Sequence, residues 1–279
     1  MQASGRLPAV ILICHQQDQL DSVGLASWLA ATMRLAGIVL IAGDTARKWR
    51  VARREIARRG LVSVLDAAAF RAYARLRLSK GNAAWSDAEL KRLRERYPAS
   101  LEGIPTVTVA NPNNARARAF IVALAPDLIV ARCKFILAPE VFELARFGTY
   151  ALHPGICPEY RNAHGCFWAL ARRDLGRVGM TLLRIDRGID TGPVLLQATY
   201  PFDEVRESHH VIQGRVVFEN LDRIGHTLRA VARGQSPPPI DTAGRDSAVW
   251  GQPRLSSYLR WQLAAHRDRR RLARQPVVS

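Results

Sequence analysis

The run Leu7 to Cys14, LPAVILIC, is apolar without alternation. A strand that faces water on one side alternates apolar and polar residues, whereas a strand buried on both faces does not. This run therefore belongs inside a parallel sheet covered on both sides, and the neighbouring segments must supply that cover. Asp21 to Met33 has Leu25, Trp28 and Leu29 at helical spacing, and Gly37 to Ala42 is a second unbroken apolar run. Strand, helix and strand in that order make a βαβ opening, which needs a helical crossover to keep the strands parallel.

The alternation continues through a strand at Thr106 to Ala110, a helix at Asn113 to Ala125 and a strand at Asp127 to Ala131. Ala46 to Lys80 is helical in pattern but basic, and Ser86 to Arg96 has a capping serine, an early acid and a basic end. Both are expected as surface excursions. Val205 to Arg233 reads as a long helix or a helix pair, and GQSPPP at Gly234 to Pro239 as an extended linker. Beyond it only Ser256 to Arg274 has a convincing helical pattern. The expectation is an α/β chain with a Rossmann-like, mostly parallel sheet, helices on both faces and a short helical C-terminal extension. One principal domain is expected over 1–235, with a proline-rich linker and basic helical tail over 236–279.

No apolar run approaches the roughly eighteen residues of a membrane span, and Ala9 to Cys14 is too short for a secretory leader. A cytoplasmic protein is expected, with its four cysteines reduced. The formal net charge is +17, and arginine supplies nearly all of the basic residues. They gather at Arg47 to Arg59, Lys91 to Arg96 and Arg260 to Arg274, which suits solvated helix faces or a field that attracts anions. Aromatic residues are not interleaved with these clusters in the manner of a single-strand binding surface.

Chemistry concentrates in Tyr150 to Gln197. A strand-like TYAL delivers His153 into the turn His153-Pro154-Gly155, followed by Cys157-Pro158 and a helix at Ala163 to Arg173. GMTLLRID is an alternating strand that runs into Asp186-Arg187-Gly188-Ile189-Asp190-Thr191-Gly192, and VLLQ comes next as another strand. Two strands that each end in a turn bearing an ionisable side chain would bring His153 and Asp190 to one sheet edge, where open α/β sheets bind ligands. A carboxylate beside an imidazole raises its pKa and fixes its tautomer. His153, Cys157, His164 and Cys166 also offer soft ligands within one short stretch, but structural zinc sites draw on two compact pairs. No metal is expected.

In order, these residues resemble the 10-formyltetrahydrofolate-dependent formyltransferases, whose signature is N-x-H-P, a loop to Y-R-G, and about thirty residues later D-x-G-(I/L)-D-x-G. The chain matches at His153, Pro154, Tyr160, Arg161, Asp186, Gly188, Asp190 and Gly192. The resemblance implies His153 as proton shuttle and oxyanion donor, and Asp190 as its orienting acid and acceptor of the amine proton. Tyr160 and Arg161 fall on the substrate side. For the folate it implies the strand-to-helix segment Cys133, Lys134, Phe135, Ile136 and Leu137, together with Asp186, Gly188 and Ile189. The expected activity in one-carbon metabolism is transfer of a formyl group from 10-formyltetrahydrofolate to a primary amine of a small molecule or sugar nucleotide. The turn after the first strand, His15 to Gln19, has no glycine, which argues against a glycinamide-ribonucleotide enzyme. About forty residues after the linker do not make the β-barrel with which methionyl-tRNA formyltransferases grip tRNA. tRNA is not expected as a partner, and a homo-oligomer is left open.

The chain departs from the signature at Ala151, where the family has its catalytic Asn, and at Asn162, where it has Gly. Losing one oxyanion donor typically costs about 10²–10³ in rate. Three readings stay open: Asn162 or His164 substitutes for the amide, a different acyl donor is used, or the chain is a catalytically degenerate relative that binds folate or a polyanion.

Overall fold

The computed structural model describes residues 6–43 and 60–274. Seven strands form one sheet: β1 (Ala9–His15), β2 (Arg34–Ile41), β3 (Thr106–Val109), β4 (Leu128–Arg132), β5 (Thr149–His153), β7 (Gly179–Arg184) and β8 (Val194–Thr199). Their order is β3-β2-β1-β4-β5-β7-β8. The first five run parallel, whereas β7 lies antiparallel to β5 and β8 antiparallel to β7. Two further strands of two residues each, β6 (Arg161–Asn162) and β9 (Val249–Trp250), pair with one another away from the sheet.

Both faces of the central strands are covered, as their unbroken apolar runs require. Val10, Leu12 and Cys14 point into one cluster and Ile11 and Ile13 into another. The first cluster is covered by α1 (Ala26–Thr32), α2 (described over 60–73), α3 (Ser79–Arg96), α6 (Gly165–Ala171), α7 (His209–Phe218), α8 (Leu221–Ala232) and α9 (Leu255–Leu272). The second is covered by α4 (Ala115–Leu124) and α5 (Pro139–Phe142). Asn114 caps α4, its side chain accepting from Ala117 N–H at 2.8 Å.

Local readings shift where packing overrides pattern. The helix read from Asp21 is a π-helical turn over Leu20–Leu25 that passes into α1. Ser86 does not start a helix. Its hydroxyl lies 3.3 Å from His210 Nε2, and α3 runs continuously out of residues 60–78. The Arg47 to Arg59 cluster lies outside the described residues, as does the beginning of the Ala46 to Lys80 helix. After the linker, Tyr258, Trp261 and Ala265 of α9 are buried in the first cluster, and Tyr258 packs against Phe70 with ring centroids 5.4 Å apart. Among the described residues no helix is long and apolar enough to cross a membrane.

One part of the sheet has no helical cover among the described residues. Beside β5, β7 and β8, the face carrying Ala151, Leu183 and Val194 forms a small cluster with Cys157, and loops supply its lid.

Candidate functional site

His153 ends β5 and lies directly opposite Thr181 of β7, which in turn faces Gln197 of β8. This polar row anchors the loop that leaves His153. Thr181 Oγ1 donates to Gly155 O at 2.7 Å and accepts from Cys157 N–H at 3.0 Å, while the Gln197 amide donates to Cys157 O. The next row, Ala151, Leu183 and Val194, is apolar. Gly155 and Gly165 press together where the loop meets α6, and a Cβ on Gly165 would lie 2.6 Å from Gly155 Cα and 2.8 Å from Tyr160 O.

The His153 side chain is 7% exposed. Its Nε2 lies 2.7 Å from Tyr160 O, a carbonyl that only accepts, so Nε2 carries a proton. Nδ1 then faces Asp190 Oδ2 at 3.6 Å. Burial alone would depress the imidazole pKa, but the Asp190 carboxylate, Cys157 and the Tyr160 carbonyl outweigh it and raise it to about 10. At neutral pH this is an imidazolium, a proton donor beside a carboxylate.

Asp190 reaches His153 by a route other than the meeting of two strand ends. Because β7 is antiparallel, its last residue, Arg184, pairs with Tyr150, and Ile185 N–H donates to Thr149 O at the opposite edge from His153. The expected juxtaposition of strand ends is thereby corrected. Instead the loop 186–193 doubles back across the uncovered face. Asp186 Oδ1 ties it by accepting from Gly188 N–H (2.9 Å) and Thr191 Oγ1 (2.7 Å). Gly192 passes so close to Arg184 O that a Cβ would collide with it. Asp190 itself takes a left-handed backbone, φ 51°, which Asp tolerates better than most residues.

Of the residues around the pair, Asn162 has φ 75°, and its N–H donates to Asp190 Oδ2 at 2.7 Å. Its side-chain amide points away and donates to Trp250 O at 2.5 Å. His164 also has a left-handed backbone, with its ring toward His209 (centroids 6.3 Å apart), which packs against Phe167 of the first cluster. Tyr160 gives its hydroxyl to Asp174 Oδ2 at 2.9 Å, and Arg161 Nη1 donates to Ile189 O at 3.3 Å.

The segment after β4 is clamped by Asn113, whose amide donates to Ile136 O and accepts from Ala138 N–H, both at 2.9 Å. Lys134 N–H donates to His15 Nε2 at 3.1 Å, and Cys133 Sγ lies 3.7 Å from Phe135 O. Leu137 is buried in the second cluster, with Cys133, Phe135 and Ile185 packed against it, while Ile136 is 62% exposed. Ile185 leads into Asp186, Gly188 and Ile189, so the two segments border one apolar cluster.

A second polar group carries no motif in the sequence. Asp21, in the turn after β1, is buried and forms an ion pair with Arg132 Nε at 2.7 Å. Burial pushes its carboxyl up to about 7 against the opposing pull of Arg132. His209 and His210 begin α7 nearby, and burial lowers the pKa of His164 and of His209 to about 3. Arg132 Nη1, His164 Nδ1 and His209 Nδ1 are buried without a hydrogen-bond partner among the described residues. A charge closing an apolar strand, as Arg132 does, was the available signal. Among the described residues no cluster of His, Cys, Asp and Glu is arranged to hold a metal ion.

A family model described as formyl transferase matches residues 83–224, a little over half of the chain. Methionyl-tRNA formyltransferase of Microcystis aeruginosa is 34% identical over 116 residues, which cover 41% of this chain and 31% of that protein. The same enzyme of Anaeromyxobacter sp. (strain K) is 28% identical over 177 residues, covering 62% and 55%. The chain thus spans between about a third and about half of the length of these curated relatives. Among solved structures, phosphoribosylglycinamide formyltransferase from Anaplasma phagocytophilum superposes with a TM-score of 0.54 at 13% identity, over 89% of this chain and 100% of that one. A sugar N-formyltransferase from Shewanella sp. FDAARGOS_354 gives 0.53 at 14% identity, over 92% and 87%. At such identities the superpositions speak for the fold alone.

Proposed function

The chain belongs to the formyl transferase family, and from that premise we propose that it moves a formyl group from 10-formyltetrahydrofolate to a primary amine of a small molecule or sugar nucleotide. The observation that carries the proposal is the pair His153 and Asp190, held 3.6 Å apart although their strands end at opposite edges of the sheet. A loop folded back to make that approach, through a left-handed Asp and a glycine that admits no side chain, is backbone strain of the kind that gathers at functional sites.

Formyl transfer needs a donor for the tetrahedral oxyanion, a base for the amine proton and an acid for the departing nitrogen. The protonated His153 suits the first and last tasks, since its Nε2 proton is held by Tyr160 O and its Nδ1 proton is the one free to move. Asp190, 18% exposed and the more outward of the two, suits the second. The donor is a substrate consumed in each turnover. The two segments that the resemblance assigns to it, Cys133 to Leu137 and Asp186 to Ile189, border the same apolar cluster, and the Asn113 clamp leaves the first of them fixed in outline. That supports a flat, partly apolar ligand at that edge.

For the acceptor, the glycine-free turn after β1 supports an amine other than a ribonucleotide held by its phosphate. The test is a mass-spectrometric screen of amines with 10-formyltetrahydrofolate and the intact protein. A formylated product that vanishes with Asp190→Asn is expected; no product from any amine class would overturn the proposal. A second reading, a relative that binds folate without turnover, has one observation in its favour. Ala151 sits in an apolar row, and neither the Asn162 amide nor the His164 ring turns toward it. Calorimetric folate binding with no product in the screen would select it.

A further inference from the structure

Asp190 Oδ2 has two polar neighbours, His153 Nδ1 at 3.6 Å and Asn162 N–H at 2.7 Å. The second fixes where the carboxylate sits. Asn162 departs from the glycine of the family signature, and a glycine would supply the same N–H and accept the same φ of 75° more easily. What asparagine adds is its side-chain amide, which donates to Trp250 O across 88 positions of sequence.

That carbonyl is itself firmly placed. β9 pairs in parallel with β6, Arg161 opposite Val249 and Asn162 opposite Trp250. Ala248 N–H donates to Pro158 O and Arg161 N–H to Ala248 O, at 3.2 and 3.1 Å. Arg245 grips the buried Glu159 carboxylate through Nε (2.9 Å) and Nη2 (2.7 Å). The Trp250 indole donates to Glu159 O and stacks on Trp168, ring centroids 4.9 Å apart, and Trp168 Nε1 donates to Gly251 O. Residues 245–251 are therefore laced along the loop that leaves His153. Held only by its own turn, a left-handed Asn would have its side chain in solvent. Here the amide ends on this lacing.

We propose that Asn162 is a positioning residue, through which the C-terminal segment Arg245 to Gly251 sets the Asp190 carboxylate against His153. The role rests on reading His153 and Asp190 as the reacting pair, but the coupling itself is measurable without turnover. Asn162→Gly keeps the N–H and the left-handed backbone and removes only the latch. Asn162→Asp keeps size and backbone preference and turns an acceptor toward the Trp250 carbonyl.

The experiment is an NMR titration of the His153 ring in the whole protein, with steady-state transfer kinetics alongside. The groups facing that ring are Asp190, Cys157 and the Tyr160 carbonyl, and Asn162→Gly alters none of them, whereas Asn162→Asp adds a charge and is read by kinetics alone. In Asn162→Gly the His153 midpoint is expected to fall by about one pH unit as the carboxylate drifts. The value of kcat is expected to fall about tenfold with KM little changed, as for a misaligned but still occupied site. A His153 midpoint unchanged in folded Asn162→Gly would overturn the inference, whatever the kinetics. If the unmodified protein forms no product, the proposed activity falls while the midpoint still decides the coupling.

Discussion

Two polar groups crown the same edge of the sheet, one on each face, and they are built differently. On the loop-covered face His153 Nε2 is engaged by Tyr160 O and Asp190 Oδ2 by Asn162 N–H, while His153 Nδ1 faces Asp190. On the helix-covered face Arg132, His164 and His209 each keep a buried nitrogen without a partner among the described residues. Buried polar atoms are normally satisfied, and an unsatisfied one costs about 1–3 kcal/mol. The first group is thus held in place before any ligand arrives. The second is left with hydrogen-bonding capacity to spare. His153 is charged at neutral pH, whereas the two histidines opposite are neutral.

The contrast breaks most sharply at the charged pair. Asp190→Asn keeps a residue suited to the left-handed backbone and removes the charge, and transfer is expected to fall about 10²–10⁴-fold, the usual worth of a positioned acid or base. Turnover by mass spectrometry checks this, with circular dichroism showing that the variant is folded. His153→Ala should lose at least as much.

Next in size is the backbone contact beneath that pair. Gly165→Ala forces a Cβ into Gly155 Cα and Tyr160 O, and backbone cannot give way as a side chain would. A loss of about 2 kcal/mol, typical of overpacking, is expected in urea unfolding. Gly81→Ala, in open space on α3, should lose nothing and serves as control.

Ala151→Asn asks whether the apolar row beside His153 is a deficit. With the Asn162 amide on Trp250 and the His164 ring toward His209, neither stand-in fills that space. Formyl transfer is expected to rise about tenfold. A fall would show that the row is shaped for something other than an oxyanion.

The smallest effect separates the two faces by pH. His209 has its pKa lowered from 6.5 to about 3, so the unfolded chain takes up the proton first and stability is lost as pH falls below 6.5. His153 has its pKa raised from 6.5 to about 10, so its contribution is full below 6.5 and is lost as pH rises toward 10. His209→Phe, in a site already lined by Phe70 and Phe167, should flatten the acid limb by about 1 kcal/mol per pH unit and leave the alkaline limb alone. Urea titrations from pH 5 to 9 would read both limbs.

The fold was legible because its signals are local. LPAVILIC reads as a strand buried on both faces, and the helices after it supply the cover. The ordered signature from His153 to Gly192 pointed to the pair that lies 3.6 Å apart, but not to its route in space. A run such as GMTLLRID carries the same alternation whichever way it lies in a sheet, so its antiparallel pairing, and the fold-back of Asp190, were invisible. Ser86 misleads for a related reason: a capping serine is a local signal, and the contact that claims its hydroxyl is His210, 124 residues away.

By itself the sequence determined that a doubly covered sheet would form and which polar residues gather in one short stretch, since side-chain type and apolar periodicity are properties of the chain alone. Only the tertiary structure decided what each of them faces. Asn162, read as a stand-in for a missing amide, has its side chain on Trp250, and Tyr160, read as facing substrate, has its hydroxyl on Asp174. A hydrogen bond is set by a few tenths of an ångström and by direction, and neither is written in the spacing of residues along a chain.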